Sequence, residues 1–156
     1  MEAKAIEILD AHRTMAIATV RPDGWPQTTI VGFANDGLLL YFLISRSSQK
    51  FANIQNDDRV SVAVGEEPRN FSELKAVYAG ANASEVTDPE QREHAWRLLV
   101  RRHPNLADYE LPERSESAMM RAACKYISIL DFTTQLEHPD SLTVGPVNAV
   151  MDPARN

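Results

Sequence analysis

The hydrophobic pattern of the chain is centred on residues 38–44, an unbroken apolar run of sequence LLLYFLI. Turn-forming and polar residues bound this run on both sides, so its length favours a strand covered on both faces over a helix. A second stretch at 59–64 alternates apolar and polar residues, which predicts another strand. Between the two, the hydroxyl of Ser47 or Ser48 can cap a short helix that ends near residues 56–58.

The rest of the chain has the pattern of a β-rich core with inserted helices. Further strands are predicted at 14–20, 25–33, 75–86 and 125–134. Helices are predicted at 3–12, from 87–90 to just before Pro104, and at 115–123. Turn sequences at 21–24 and 35–37 would join the first three strands into an antiparallel meander. Gly80, inside the strand at 75–86, suits a bulge or bend of a barrel wall.

The length of 156 residues fits one domain, which can bury roughly 70% of its unfolded surface without disulfides or a structural metal. We predict a mainly β domain at residues 1–138. The segment at 139–156 is interrupted by prolines and has little periodicity, which is typical of a C-terminal tail.

Charge and hydropathy exclude some functions. The formal net charge of −6 argues against non-specific nucleic-acid binding, which needs a basic surface. No apolar run approaches the length of a membrane span, and the first residues lack the pattern of a signal segment. We therefore expect a cytoplasmic protein with neither nucleic acid nor membrane as partner. The single cysteine, Cys124, is predicted to be a small buried hydrophobe.

Motifs for catalysis by the protein's own side chains are missing. The four histidines show no metal-ligand spacing, so no metal site is expected. The six glycines form neither a dinucleotide-binding fingerprint nor a phosphate loop, and no serine stands in a nucleophile elbow. Any chemistry would therefore depend on a bound cofactor.

The segment that follows the apolar run has the composition of an anion-binding corner. Arg46 and Lys50 flank the start of the short helix, where serine hydroxyls and free backbone N–H groups would meet. A phosphate could bind to such a set of donors. An ordinary capped helix with nearby cations has the same local sequence, so both interpretations stay open at this level.

The order of these motifs resembles the pyridoxamine 5'-phosphate oxidase-like, FMN-binding split-barrel family. The resemblance covers residues 3–135 in arrangement and is most specific at 14–64. Its most specific motifs are the strand MAIAT at 15–19, the segment PQTT at 26–29, the corner SRSSQK at 45–50 and the strand DRVSV at 58–62.

That resemblance implies a six-stranded antiparallel split β-barrel, usually a homodimer with FMN sites at the interface. Main-chain groups of the second strand would reach the polar atoms of the flavin ring, the end of the apolar strand would pass beside the ring, and the corner would bind the phosphate. The implied FMN-binding residues are Thr28, Thr29, Ile30, Val31, Leu43, Ile44, Ser45, Arg46, Ser48, Gln49 and Lys50.

The implied activity is a flavin-mediated transfer of hydride or electrons involving a small molecule or a nicotinamide donor. Thr28 and Thr29 stand where oxidases of pyridoxamine phosphate carry an arginine, so the likeness is closer to general-stress and flavin-reductase-like members. Alternatives on the same fold are a flavin-binding stress protein without turnover, and a barrel that uses haem or a deazaflavin.

The helix that starts at 87–90 is predicted to pack through one apolar face. Its arginines are expected to lie in solvent, because the whole protein is acidic. They are Arg92, Arg97, Arg101 and Arg102.

Overall fold

The computed structural model describes residues 1–134 and 140–142. Its helices are α1 (Glu2–Asp10), α2 (Gln49–Asn56) and α3 (Pro89–Arg102). Its strands are β1 (Thr14–Val20), β2 (Pro26–Gly32), β3 (Ala34–Asp36), β4 (Leu39–Ser45), β5 (Arg59–Gly65), β6 (Lys75–Glu85), β7 (Ser117–Asp131) and β8 (Asp140–Leu142). The predicted mainly β fold with inserted helices is confirmed.

All strand pairs are antiparallel and form one sheet of order β2-β1-β5-β6-β7-β4-β3. The edge strands β2 and β3 are separated in the chain by Phe33 alone. One residue spans only about 7 Å between its neighbours. The sheet must therefore curl until its two edges meet, and β2 and β4 approach each other there without pairing.

Three details of the predicted sheet are wrong. Among the described residues the sheet has eight strands rather than six, because β3 and β8 are added. The predicted meander ends after β2, since β4 pairs with β3 and β7. Residues 117–123, predicted as part of a helix, are instead the first half of β7, which is buried from both sides.

Strand β7 holds the barrel together. Along one edge it pairs with β6 from Met120 to Asp131, and along the other it pairs first with β4 and then with β8. A register shift after Gly80 marks a bulge in the β6–β7 ladder, as the glycine predicted. A Cβ atom at Gly80 would stand 2.2 Å from the ring of Tyr126, so this tyrosine packs directly on the glycine backbone.

Two apolar clusters stabilise the fold. The larger one fills the barrel with inward side chains such as Ile17, Phe42 and Ile129. The smaller one lies outside the wall, where Leu39 and Tyr41 of β4 pack against Trp96 and other residues of α3. The apolar run is thus covered on both faces, as predicted. The predicted tail lies outside the described residues except for 140–142, which pair with β7.

Candidate functional site

The segment between β4 and α2 forms a tight corner. Ser48 caps α2, because its hydroxyl accepts a hydrogen bond from the backbone N–H of Phe51 at 3.2 Å. The same hydroxyl donates to the carbonyl of Ser45 at 2.7 Å, which fixes the turn. The backbone N–H groups of Gln49 and Lys50 have no acceptor inside the helix and remain available at this end. The predicted cap is confirmed.

Two more hydroxyls lie at this corner. The Oγ atoms of Ser45 and Ser47 are 3.0 Å apart, and the backbone N–H of Ser47 donates to Ser45 Oγ at 3.3 Å. Both serines are exposed. The corner therefore presents hydroxyl groups and helix N–H groups together to solvent, which is the donor set that a phosphate needs.

The two cations of the corner have different surroundings. Arg46 forms an ion pair with Glu85, donates to the carbonyl of Arg114 at 2.5 Å, and stacks over Phe51 at 4.9 Å from the ring centre. Lys50 is half-buried, and within the described part of the chain its ammonium has no carboxylate partner. Lys50 is thus the cation of the corner that can bind an incoming anion.

A buried amide links the corner to the barrel. Asn53 of α2 is fully buried and donates to Thr19 Oγ1 at 2.9 Å and to Gln27 Oε1 at 3.0 Å. It also accepts from Gln49 Nε2 at 2.8 Å. The side chain of Gln49, which was predicted to bind the cofactor, is therefore already hydrogen-bonded within the protein. Because buried polar groups are costly unless satisfied, this network fixes α2 relative to β1 and β2.

The side chains of β2 alternate between the two faces of the sheet. Thr28 and Ile30 point outward, and Ile30 is 69% exposed. Thr29 and Val31 point toward the barrel interior, and Thr29 Oγ1 is buried there without a partner among the described residues. Thr29 and Val31 can therefore reach a ligand outside the barrel only through their main chains.

The main chain of β2 is accessible because β2 is an edge strand. Among the described residues, β1 is its only pairing strand. An edge strand presents unpaired N–H and C=O groups along its free side. Main-chain contact with a ring, as the resemblance implied, is geometrically available.

An apolar cavity of about 270 Å³ lies where β2 and β4 approach each other. It is lined by Gly32, Leu43, Leu99, His103, Asn105 and Leu106. Leu43 precedes Ser45 of the corner by two residues, and Gly32 follows Ile30 by two residues. Each interval is about 7 Å on the same face of a strand. The outward residues of β2 and the serine corner thus lead to the same cavity.

Leu43 and Ile44, the two residues of β4 that were predicted to bind FMN, lie on opposite faces of the sheet. Leu43 lines the cavity, whereas Ile44 points into the barrel interior and is 4% exposed. The cavity residues of α3 and the turn after it were missed by sequence reasoning. His103 Nε2 lies 3.0 Å from the carbonyl oxygen of Phe33, a contact between residues 70 positions apart that no local pattern indicates.

Three further features bear on the chemistry of the chain: its cysteine, its metal-ligating side chains and the hydropathy of its helices. Cys124 is buried in the barrel, and burial raises the pKa of its thiol to about 12, which confirms that it is a buried hydrophobe. No group of three or more metal-ligating side chains comes together among residues 1–134 and 140–142. No helix in the described part of the chain has the length and hydropathy needed to cross a membrane.

Known proteins share this arrangement. The model of the pyridoxamine 5'-phosphate oxidase family matches residues 1–130. General stress protein 26 of Bacillus subtilis is 27% identical over 131 residues, which cover 80% of this chain and 91% of that protein. This likeness agrees with the expected general-stress type of member.

Solved structures share the fold. A haem-binding protein from Mycobacterium smegmatis superimposes with a TM-score of 0.74 and 17% identity, over 91% of this chain and 56% of that one. An FAD-binding protein from Mesorhizobium loti has a TM-score of 0.65 and 23% identity, over 81% of this chain and 91% of that one. The curled antiparallel sheet is thus the split barrel that the sequence predicted. The chain belongs to the pyridoxamine 5'-phosphate oxidase family.

Proposed function

We propose that this protein binds FMN and uses it to exchange hydride or electrons with a small molecule or a nicotinamide donor. The observation that carries the proposal is the common face shared by the serine corner, the free edge of β2 and the apolar cavity. A phosphate site and an apolar slot on one face match the two ends of a flavin nucleotide. Family membership and an FAD-binding structural neighbour support the flavin.

The corner fits the phosphate of FMN. In this proposal the N–H groups of Gln49 and Lys50, the hydroxyls of Ser45 and Ser47, and the ammonium of Lys50 bind the phosphate oxygens. Arg46 supports the phosphate site without binding the phosphate, because its ion pair with Glu85 fixes the end of β4. Ser48 fixes the helix start from which the N–H groups point.

The slot fits a planar ring. Thr28 and Ile30 would lie along one side of the ring and Leu43 at the cavity side, while the free main chain of β2 would bond to the ring's polar atoms. The bound flavin supplies the hydride chemistry. The chain's own residues orient it and exclude water from one side, since Leu43, Leu99 and Leu106 form an apolar wall.

A second copy of the chain would complete the site. Paired residues of adjacent strands share a face, so Ile30, Ala16, Ala63 and Tyr78 form one row across the outer side of the barrel. Ile30, Tyr78 and Tyr126 of this face are 69%, 43% and 60% exposed. An exposed apolar face with small residues at its centre suits close packing of a second barrel. Because Ile30 belongs to both the face and the slot, we propose a homodimer with the cofactor at its interface.

Haem is the second candidate cofactor, favoured by the haem-binding neighbour with a TM-score of 0.74. A deazaflavin, or flavin binding without turnover, would use the same face. The cytoplasmic location stays a prediction.

The absorption spectrum of the purified protein tests the cofactor. A flavin spectrum with bands near those of free FMN is expected, and a Soret band would replace the proposal by the haem alternative.

A turnover assay tests the activity. Oxidation of NADH or NADPH by the flavin-loaded protein is expected, and failure with every donor would mean that the protein binds flavin without turnover. Light scattering should give twice the monomer mass, and a stable monomer would contradict the interfacial site.

A further inference from the structure

A second cavity, of about 420 Å³, lies between α1, β3 and the C-terminal half of α3. Its lining includes Asp10, Arg13, Asn35, Arg101 and Arg102. Three arginines and one aspartate give this lining a net charge of +2, although the whole protein carries −6. Positive charge is thus concentrated here against the sign of the molecule.

One of the three arginines is held by the fold. Arg102 donates to the carbonyls of Leu9 at 3.1 Å and His12 at 2.8 Å, and to Asn35 Oδ1 at 3.0 Å. These acceptors are neutral, and Asp10, 3.7 Å away, is exposed to solvent. The positive charge of Arg102 is therefore fixed in place beside the cavity, and within the described part of the chain its one carboxylate partner is the exposed Asp10.

The other two arginines are free. Arg13 and Arg101 are exposed, and neither has an ion-pair or side-chain hydrogen-bond partner among the described residues. An arginine fork with open donors binds phosphate oxygens in pairs. Two such forks on one cavity, with a third fixed charge behind them, suit a dianionic phosphate better than a singly charged carboxylate.

The basic cavity adjoins the proposed ring slot. The backbone of Arg13 accepts a hydrogen bond from the N–H of Phe33, and its carbonyl oxygen would be 3.9 Å from a Cβ atom at Gly32. Gly32 and His103 line the slot, while Arg13 and Arg102 line the basic cavity. The two linings therefore meet at the backbones of Arg13 and Gly32, which places the basic cavity beside the slot.

We propose that the cavity of Arg13 and Arg101 binds a phosphate group of the molecule that reacts at the slot, either a phosphorylated substrate or a nicotinamide dinucleotide donor. The contacts and charges of the arginines support the anion site by themselves, whereas its link to a reacting molecule rests on the proposed flavin function. It is separate from the serine corner, which has its own cation in Lys50 and lies beyond the opposite end of β4.

Calorimetric titration with inorganic pyrophosphate tests the anion site on the full chain. Arg13→Ala/Arg101→Ala should weaken binding by about tenfold or more. Arg97→Ala is the matched control, because Arg97 is exposed on the same helix one turn earlier and does not line the cavity. Thermal unfolding should be equal for all three proteins. Equal pyrophosphate affinity in the double variant and the wild type would overturn the proposal.

Lys50→Ala separates the two anion sites. Pyrophosphate binding that survives Arg13→Ala/Arg101→Ala but is lost in Lys50→Ala would place the anion at the serine corner and overturn the proposal. FMN titration of the double variant should give wild-type affinity. A protein that binds pyrophosphate through Arg13 and Arg101 but binds no flavin would keep the anion site and refute the proposed function instead.

Competition with NADP⁺ distinguishes the sources of the phosphate. Displacement of pyrophosphate by NADP⁺ in the wild type, absent in the double variant, assigns the cavity to the electron donor. Pyrophosphate binding without such displacement assigns it to a phosphorylated substrate.

Discussion

The serine corner and the basic cavity lie near the two ends of β4, and each combines one arginine held by the protein with cations that are free. At the corner, Arg46 is neutralised by the carboxylate of Glu85. In the cavity, Arg102 donates to neutral carbonyl oxygens, and the exposed carboxylate of Asp10 lies farther away at 3.7 Å, so its charge is less neutralised than that of Arg46. The corner therefore depends on Lys50 and helix N–H groups, whereas the cavity depends on accumulated charge. The acceptor that binds an arginine decides which of the two roles it has.

Removal of Arg102 should have the largest effect on stability. Arg102→Ala removes the side-chain donor to the carbonyls of Leu9 and His12 at the end of α1, although Leu9 keeps the N–H of His12, and it removes the stacking over Phe33. The free energy of unfolding should fall by about 3 kcal/mol in urea titrations. Arg97→Ala should change it by less than about 0.5 kcal/mol. Equal stability of both variants would mean that Arg102 does not anchor α1.

Removal of Lys50 should have the largest effect on cofactor affinity. Lys50→Ala leaves the helix N–H groups but removes the unpaired cation, so the Kd for FMN should rise about 30-fold, or about 2 kcal/mol. Fluorescence titration of the flavin measures this change. Lys125→Ala, on an exposed position of β7, is the control and should bind like the wild type. Wild-type FMN affinity in Lys50→Ala would refute the phosphate corner.

Removal of Arg46 should affect stability more than FMN binding. Arg46→Ala leaves Glu85, whose side chain is 14% exposed, with the longer contact to Arg114 at 3.4 Å as its remaining ion pair in the described part of the chain. We expect a loss of about 1.5 kcal/mol, most of which the double variant Arg46→Ala/Glu85→Ala should recover. An FMN affinity lowered as much as in Lys50→Ala would show that Arg46 binds the phosphate directly.

The smallest expected effect on stability concerns the N-terminal end of α1, and it depends on pH. Lys4 Nζ lies 2.7 Å from Asp131, and Thr133 also donates to this carboxylate. Burial alone raises the pKa of Asp131, but the bonds from Lys4 and Thr133 outweigh it and lower the pKa from 3.8 to about 2. A carboxylate with a lowered folded pKa stabilises the protein above about pH 4, and this contribution is lost as the pH falls toward 2.

Asp131→Asn should therefore cost about 1 kcal/mol at pH 7 and weaken the decline of Tm between pH 4 and 2. The hydrogen bonds from Arg102 to the carbonyls of Leu9 and His12 should show no such dependence, because carbonyl groups do not titrate in this range. An unchanged acid profile in Asp131→Asn would assign the decline to other carboxylates.

Local patterns predicted what depends on neighbours in sequence. The Ser48 cap, the turn at Gly24 and the bulge near Gly80 were found because each needs residues a few positions apart. Residues 117–123 were predicted as helix, since alanine, methionine and arginine favour helices. Pairing with β4 along one edge, and with β6 from Met120 onward along the other, overrides that preference and makes them strand.

The features that the sequence did not predict depend on contacts between residues far apart in the chain. The four arginines of α3 were expected in solvent, but Arg102 contacts α1 some 90 positions earlier, and Arg92 donates to the carbonyl of Pro112. The pairing of Arg46 with Glu85, 39 positions later, has no local signal either. A sequence shows which residues are cations, whereas only the fold shows which of them are already paired.

The position of β7 in the sheet has a consequence for folding. Residues 39–45 are synthesised early, yet β4 forms its long ladder with residues 117–123. Until β7 is available, the three residues of β3 are the one other partner that β4, the most apolar strand, has in the described part of the sheet. Contacts so distant in sequence form slowly, and an unpaired apolar strand tends to aggregate. The nascent chain is therefore expected to need protection until the ribosome has released residue 131.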